Sequence, residues 1–169
     1  NYSTDNKIGI VFQNNTTPIH KIQNDISELI SIYQEILSTN RSDIICHYIE
    51  DYYDAQILFG KNRVRYSSYA EDYYRMYEEY SLIISSRFHG SVLANSLGIP
   101  SICYAHDFRI RGGIVLFNGI KGIEDSKEII PSIKIIKDNY SSLVRTINTQ
   151  KDEIFFKYKS LLEKVINNV

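Results

Sequence analysis

Short apolar runs alternate along this chain with longer stretches whose apolar residues recur every three or four positions. The first pattern predicts buried strands and the second amphipathic helices. Lys7-Ile8-Gly9-Ile10-Val11-Phe12 reads as a strand that ends in the polar run Gln13-Asn14-Asn15-Thr16-Thr17-Pro18. Asn24 or Asp25 then caps a helix carrying Ile26, Leu29, Ile30, Tyr33, Ile36 and Leu37 at helical spacing. Ile44-Ile45-Cys46-His47-Tyr48-Ile49 predicts a second strand, and Asp51 to Phe59 a helix stopped by Gly60. Asn62 to Tyr66 is a third strand, whose alternating charge predicts one exposed face. Tyr69 to Tyr80 is a helix with Tyr69, Tyr73, Met76, Tyr77 and Tyr80 in one stripe, read as core packing in preference to a sugar-stacking platform. Leu82-Ile83-Ile84 is a short strand, and Ser91 to Leu97 a small-residue helix ended by Gly98. Pro100 opens the strand Ser101-Ile102-Cys103-Tyr104, at a position where a missing N–H does least harm. Tyr140 to Val169 reads as one long helix or a kinked pair, with Leu143, Val144, Ile147, Ile154, Phe155, Tyr158, Leu161, Leu162 and Val165 at helical spacing.

Strands alternating with helices predict an α/β fold: a Rossmann-like parallel sheet with helices on both faces. The chain has 169 residues and no internal repeat or flexible linker, so residues 1–169 are expected to form one domain. A formal net charge of −1 gives no reason to expect nucleic acid as a partner. No apolar run is long enough to cross a bilayer. Cys46 and Cys103 both fall in predicted strands, which suits reduced buried thiols and a cytoplasmic setting. The first residue is Asn1 and not Met, which suggests a chain that begins inside a longer parent or follows a removed tag.

Candidate chemistry concentrates in Ser85-Ser86-Arg87-Phe88-His89-Gly90, at the seam between an apolar strand and a small-residue helix. Ligands of open α/β sheets bind beyond the carboxyl ends of strands, beside helix N-termini. A helix starting near Phe88 to Ser91 would aim unpaired N–H groups and a positive dipole end at that place, which favours phosphate or carboxylate. Arg87 adds a planar fork for such groups. His89 adds an imidazole able to carry a proton. Gly90 would let the backbone come close to a ligand. Their bland alternatives are an Arg87 ion pair with a neighbouring helix and a hydrogen-bonded packing role for His89. His106, Asp107 and Arg109 follow the next strand and could line the same crevice or form a solvated loop. His20 and His47 have no metal-ligand spacing with either cysteine, so no metal is expected. The chain has no Gly-x-Gly-x-x-Gly turn, no Gly-Lys-Ser phosphate loop and no Gly-x-Ser-x-Gly elbow.

The ordered series Ile84-Ser85-Ser86-Arg87-Phe88-His89-Gly90, Ala94, Gly98-Ile99-Pro100 and Asp107-Phe108-Arg109 resembles the polysaccharide pyruvyl transferase family. The resemblance implies the C-terminal half of a two-domain enzyme, similar to a B-type glycosyltransferase, with a missing N-terminal domain facing it across a cleft. It implies transfer of a pyruvyl group from phosphoenolpyruvate to a sugar or lipid-linked saccharide, with phosphoenolpyruvate as donor substrate and no further cofactor. It also implies a cytoplasmic protein brought to the inner face of the membrane by its acceptor. Arg87 and His89 would be catalytic, with Ser86, Gly90, Ser91, Asp107, Arg109, Gln13 and Asn14 around the donor. Arg109 stands where the family has lysine, and Gln13-Asn14 where relatives often carry a basic residue. Two other readings stay open. One is the donor-binding domain of a sugar-nucleotide glycosyltransferase, with Glu124 and Asp125 as weak candidates for holding a ribose. The other is a non-catalytic interaction domain whose tyrosine-rich and C-terminal helices form a homo-oligomer surface.

Overall fold

A computed structural model describes residues 6–14, 23–105 and 108–166. Its strands are β1 (Ile8–Phe12), β2 (Ser42–Cys46), β3 (Val64–Tyr66), β4 (Leu82–Ser85), β5 (Ser101–Tyr104) and β6 (Ile120–Ile123). Its helices are α1 (Gln23–Thr39), α2 (Ile49–Phe59), α3 (Ala70–Tyr77), α4 (Phe88–Ser96), α5 (Phe108–Ile114), α6 (Ile129–Asp138) and α7 (Tyr140–Ile166). All strand pairs are parallel, in the order β3-β2-β1-β4-β5-β6. The strand order reverses at the β1/β4 border, and the carboxyl edge there is where α/β sheets of this kind hold ligands. Phe12 pairs with Cys46, and Val11 with Ser85. The segments after β1, β2 and β4 therefore leave the sheet at nearly one level.

Alternation along the strands sends side chains to opposite faces. Ile8, Ile10, Phe12, Ile44, Cys46, Leu82, Ile84, Ile102 and Tyr104 build one core with α1 and α6, and Ala55 of α2 joins it. Val11, Ile45 and Ile83 meet Met76 and Tyr77 of α3 and Ala94 of α4 on the other. Cys103 continues that second face toward Ile110 and Ile114 of α5. Both faces of the sheet are covered, as the near-continuous apolar strands require. Both cysteines are free and buried. Burial pushes the Cys103 thiol up to about 11 and the Cys46 thiol up to about 12, so both stay protonated.

Several boundaries differ from the sequence reading, each for an identifiable reason. Helix α1 starts at Gln23, so Asn24 and Asp25 lie within its first turn and not ahead of it. Strand β2 stops at Cys46, because Tyr48 and Ile49 turn outward and are 55% and 36% exposed. Helix α2 starts two residues early, at Ile49, and ends as expected at Gly60, whose φ of 84° is left-handed. Residues Lys61–Arg63 form a single 3-10 turn ahead of a shorter third strand. Helix α4 begins at Phe88, so Arg87 caps it and His89 lies in its first turn. Helix α5 occupies a stretch where a loop was the alternative, while β6 and α6 were not anticipated. In the tyrosine stripe, Met76, Tyr77 and Tyr80 are core, whereas Tyr69 is 70% exposed. Helix α7 is a single continuous helix. Ile147 is buried, yet Ile154, Phe155, Tyr158, Leu161, Leu162 and Val165 are exposed, so the distal stripe is not core. Among the described residues, no helix is long and apolar enough to cross a membrane.

Candidate active site

The turn after β4 is built by its own serines. Ser85 Oγ accepts the Arg87 N–H (3.0 Å) and donates to the Arg87 carbonyl (2.6 Å). Ser86 Oγ donates to the Val11 carbonyl (3.3 Å), tying the end of β4 to β1 across the switch point. The chain then enters α4 with its direction fixed, and no side chain caps the helix.

Arg87 leans over the ends of β1 and β2. Its Nη2 donates to Asp51 Oδ2 at 2.7 Å, and its guanidinium carbon lies 4.3 Å from the centre of the Tyr48 ring. Asp51 is 4% exposed and also accepts the Asn14 N–H at Oδ1 (2.9 Å). Asn14 Nδ2 in turn donates to Asp54 Oδ2 (2.7 Å). One carboxylate on the first turn of α2 thus links the segments after β1 and β4. The expected alternative for Arg87, an ion pair with a neighbouring helix, is what forms. That pair stands at the carboxyl edge of the sheet. The Arg87 side chain keeps 20% of its surface exposed, and its buried Nε has no hydrogen-bond partner among the described residues.

His89 takes the other side of the turn and is exposed. It lines a cleft of about 440 Å³ together with His47, Tyr73 and Tyr74. His47 lies within electrostatic range of Arg87, Asp51 and His89. Its Nε2 shares a hydrogen bond with the Tyr77 hydroxyl (2.9 Å), and its ring packs edge-on to Tyr73 at 4.9 Å. Burial, joined by the nearby Arg87 guanidinium and working against the pull of Asp51, lowers its pKa to about 4. His47 is therefore neutral at physiological pH.

This depression has a measurable consequence. The folded state resists protonating His47, whereas the unfolded chain takes the proton near pH 6.5. Its contribution is complete above pH 6.5 and is lost as pH falls toward 4. In denaturant titrations across that window, wild type is expected to lose roughly 3 kcal/mol more stability than His47→Gln, which keeps an acceptor for Tyr77. Parallel pH profiles for the two proteins would refute the assignment.

The remaining sequence candidates divide. Gly90 is buried, and a Cβ there would come 2.6 Å from Ser85 Oγ and 3.2 Å from both the Tyr77 hydroxyl and Val11 Cγ2. Its small size lets α4 lie close to the sheet. Ser91 is also buried, with its hydroxyl against the Cys103 thiol. Ser86 is 2% exposed and shapes the turn from behind. Gln13 and Asn14 do leave β1 beside Arg87, although the Asn14 amide is held by Asp54. Arg109 lies in the first turn of α5, beyond β5; its side chain, like Asp107 and His106, lies outside the described residues. Glu124 pairs with Arg111 (3.2 Å) and Asp125 accepts the Lys127 N–H (2.9 Å), so both ribose candidates have protein partners. Sequence reasoning missed His47, Tyr48 and Asp51. The signal was present in the polar residues that follow Cys46, but an apolar Tyr-Ile pair hid the strand end.

Solved structures share this fold. A Listeria monocytogenes protein assigned as a UDP-N-acetylglucosamine 2-epimerase superposes with a TM-score of 0.61 at 14% identity, covering 95% of this chain and 46% of that one. The UDP-GlcNAc 2-epimerase of Neisseria meningitidis gives 0.57 at 14% identity, covering 96% and 45%. TarM gives 0.55 at 14% identity, covering 99% and 35%. The chain spans less than half the length of each. No curated protein matches it. A sequence profile of the polysaccharide pyruvyl transferase family matches residues 10–108, a span that runs from β1 to the start of α5 and contains Asn14, His47, Asp51, Arg87 and His89. With more than half its length inside that match, the chain belongs to the polysaccharide pyruvyl transferase family.

Proposed function

We propose that this domain binds phosphoenolpyruvate and takes part in moving its pyruvyl group onto a saccharide in cell-surface polysaccharide synthesis. The observation that carries the reading is the placement of Arg87 at the N-terminus of α4 and His89 in its first turn, at the β1/β4 switch point, with neutral His47 near both. Arg87, anchored by Asp51, offers its remaining N–H donors to a carboxylate or phosphate. The N-terminus of α4 adds its partial positive charge.

Ketal formation needs one proton at C3 of the enol and two sugar oxygens at C2. The first hydroxyl adds to C2 as C3 takes the proton, turning the methylene into a methyl. The second hydroxyl then displaces phosphate by cleavage of the C2–O bond, and its proton leaves with the phosphate. His89, exposed beside the anion locus, is positioned to relay the first proton from hydroxyl to C3. Arg87 steadies the charge that gathers on the departing phosphate. The N-terminal domain that the family resemblance implies would supply the opposite wall of the cleft.

The named relatives favour a second donor, a UDP-sugar. Its candidate ribose holders, Glu124 and Asp125, are exposed after β6, one in a surface pair with Arg111 and the other capping the turn that follows. Titrating the chain with phosphoenolpyruvate is expected to shift the imidazole resonances of His47 and His89, while UDP-N-acetylglucosamine leaves them in place. The reverse pattern would make this a nucleotide-sugar domain.

A further inference from the structure

Helix α7 outruns the domain on which it starts. Its first half is anchored. Ile147 is buried, and the Gln150 side chain grips the turn after α5, donating to the Leu116 carbonyl (2.8 Å) and accepting the Asn118 N–H (3.0 Å). Every residue from Asp152 to Ile166 is then exposed. A helix exposed on all sides should be polar on all sides, and this one is not. Ile154, Tyr158, Leu161 and Val165 follow one another at steps of four, three and four residues, the spacing of a helix-pairing seam, and Phe155 and Leu162 lie beside it. These side chains are between 44% and 64% exposed. From this we infer that the seam is the contact face of a homodimer, in which α7 of a second copy lies antiparallel across it.

Direction, self-complementarity and area select that occupant. Ile154 follows the buried Ile147 by seven residues, two helical turns, so the seam looks to the side on which the domain itself lies. The domain keeps a flat lipid surface off this seam but leaves room for a body that fits beside it. A parallel second helix would drive its own anchored half into the domain, whereas an antiparallel one ends there. The seam is also complementary to itself. With one helix reversed, Ile154 meets Val165 of the second copy and Tyr158 meets Leu161, so all four layers close in a single register. Ile166 of the second copy then comes to the foot of the first helix, where Val115 and Leu116 are 81% and 67% exposed beside the Gln150 grip. Covering the seam, its two flanking residues and Ile166 on both copies removes roughly 1,400 Å² of surface, inside the roughly 1,200–2,000 Å² of a specific interface. Lys157 and Lys164 border the seam on its other side. The antiparallel arrangement sets them near their counterparts, so added salt tightens the pair.

Analytical ultracentrifugation of the 169-residue chain tests this. At about 50 µM the chain is expected to sediment as a dimer, since interfaces of this size bind at micromolar or tighter affinity. Leu161→Glu buries a charge against Tyr158 of the second copy and should weaken association at least about tenfold. Leu161 is 61% exposed in the single chain, so the same variant should keep the wild-type urea midpoint at high dilution. Orientation is read from Ile154→Cys and Val165→Cys chains, whose native Cys46 and Cys103 are buried. A short bis-maleimide is expected to link the two variants when they are mixed, and to link neither variant to itself. A monomer at the stated concentration overturns the inference and gives the seam to another occupant, such as a further domain of a longer chain. Wild-type association in Leu161→Glu, or linkage only within each single variant, overturns it as well.

Discussion

Arg87→Ala is expected to cost the isolated domain roughly 3–5 kcal/mol of folding stability, read as a lower urea midpoint, before any activity is considered. The reason lies in the partner and not in the arginine. Asp51 is 4% exposed, and removing the guanidinium leaves a buried carboxylate whose remaining hydrogen bond, among the described residues, comes from the Asn14 N–H. The Tyr48 ring also loses the cation that covers it. Asp51→Ala should be comparably damaging, since it orphans a half-buried guanidinium whose Nε already has no partner among the described residues. A double variant, Asp51→Asn with Arg87→Gln, replaces the ion pair by neutral groups of similar shape and should recover most of the loss. Such non-additivity is the signature of a direct pair. An Arg87→Ala cost below about 1 kcal/mol would place the pair in the class of solvent-screened surface bridges and remove Asp51 as the anchor of this site.

The same pair marks the limit of what could be read from the chain. The strand cores were legible because a strand buried on both faces must be apolar throughout, and Ile8 to Phe12, Leu82 to Ile84 and Ser101 to Tyr104 satisfy that condition. Arg87 and His89 were legible because polar residues at a strand-to-helix seam have a defined place in any parallel sheet. Asp51 was not, because it lies 36 residues upstream in a different strand–helix unit, and no local pattern reports such a distance. His47 was hidden by residue type: Tyr48 and Ile49 extend the apolar run although the strand has ended. Strand β6 was missed because an Ile-Lys-Gly-Ile edge of four residues carries almost no periodicity. The distal half of α7 fails in the opposite direction. Periodicity reveals an apolar stripe there, but it cannot tell burial in this domain from exposure, and Phe155 and Leu161 are 62% and 61% exposed.

His89→Ala separates chemistry from folding in a way that Arg87→Ala cannot. The His89 side chain is exposed in the first turn of α4, so its truncation should change stability by no more than about 0.5 kcal/mol. Pyruvyl transfer by the full-length protein is nevertheless expected to fall on the order of 100-fold, the usual scale for losing a positioned proton relay. The fall should appear in kcat, with KM for phosphoenolpyruvate little changed, because the proposed reading places the anion on Arg87 and the helix terminus. Free imidazole should restore part of the rate, since the truncated side chain opens directly onto the cleft. His89→Gln, which can donate a hydrogen bond but cannot carry the proton through a cycle, should be rescued less. A near-wild-type kcat in His89→Ala would leave Arg87 as an anion anchor and require the proton to come from another group, with neutral His47 the other described imidazole on the cleft wall.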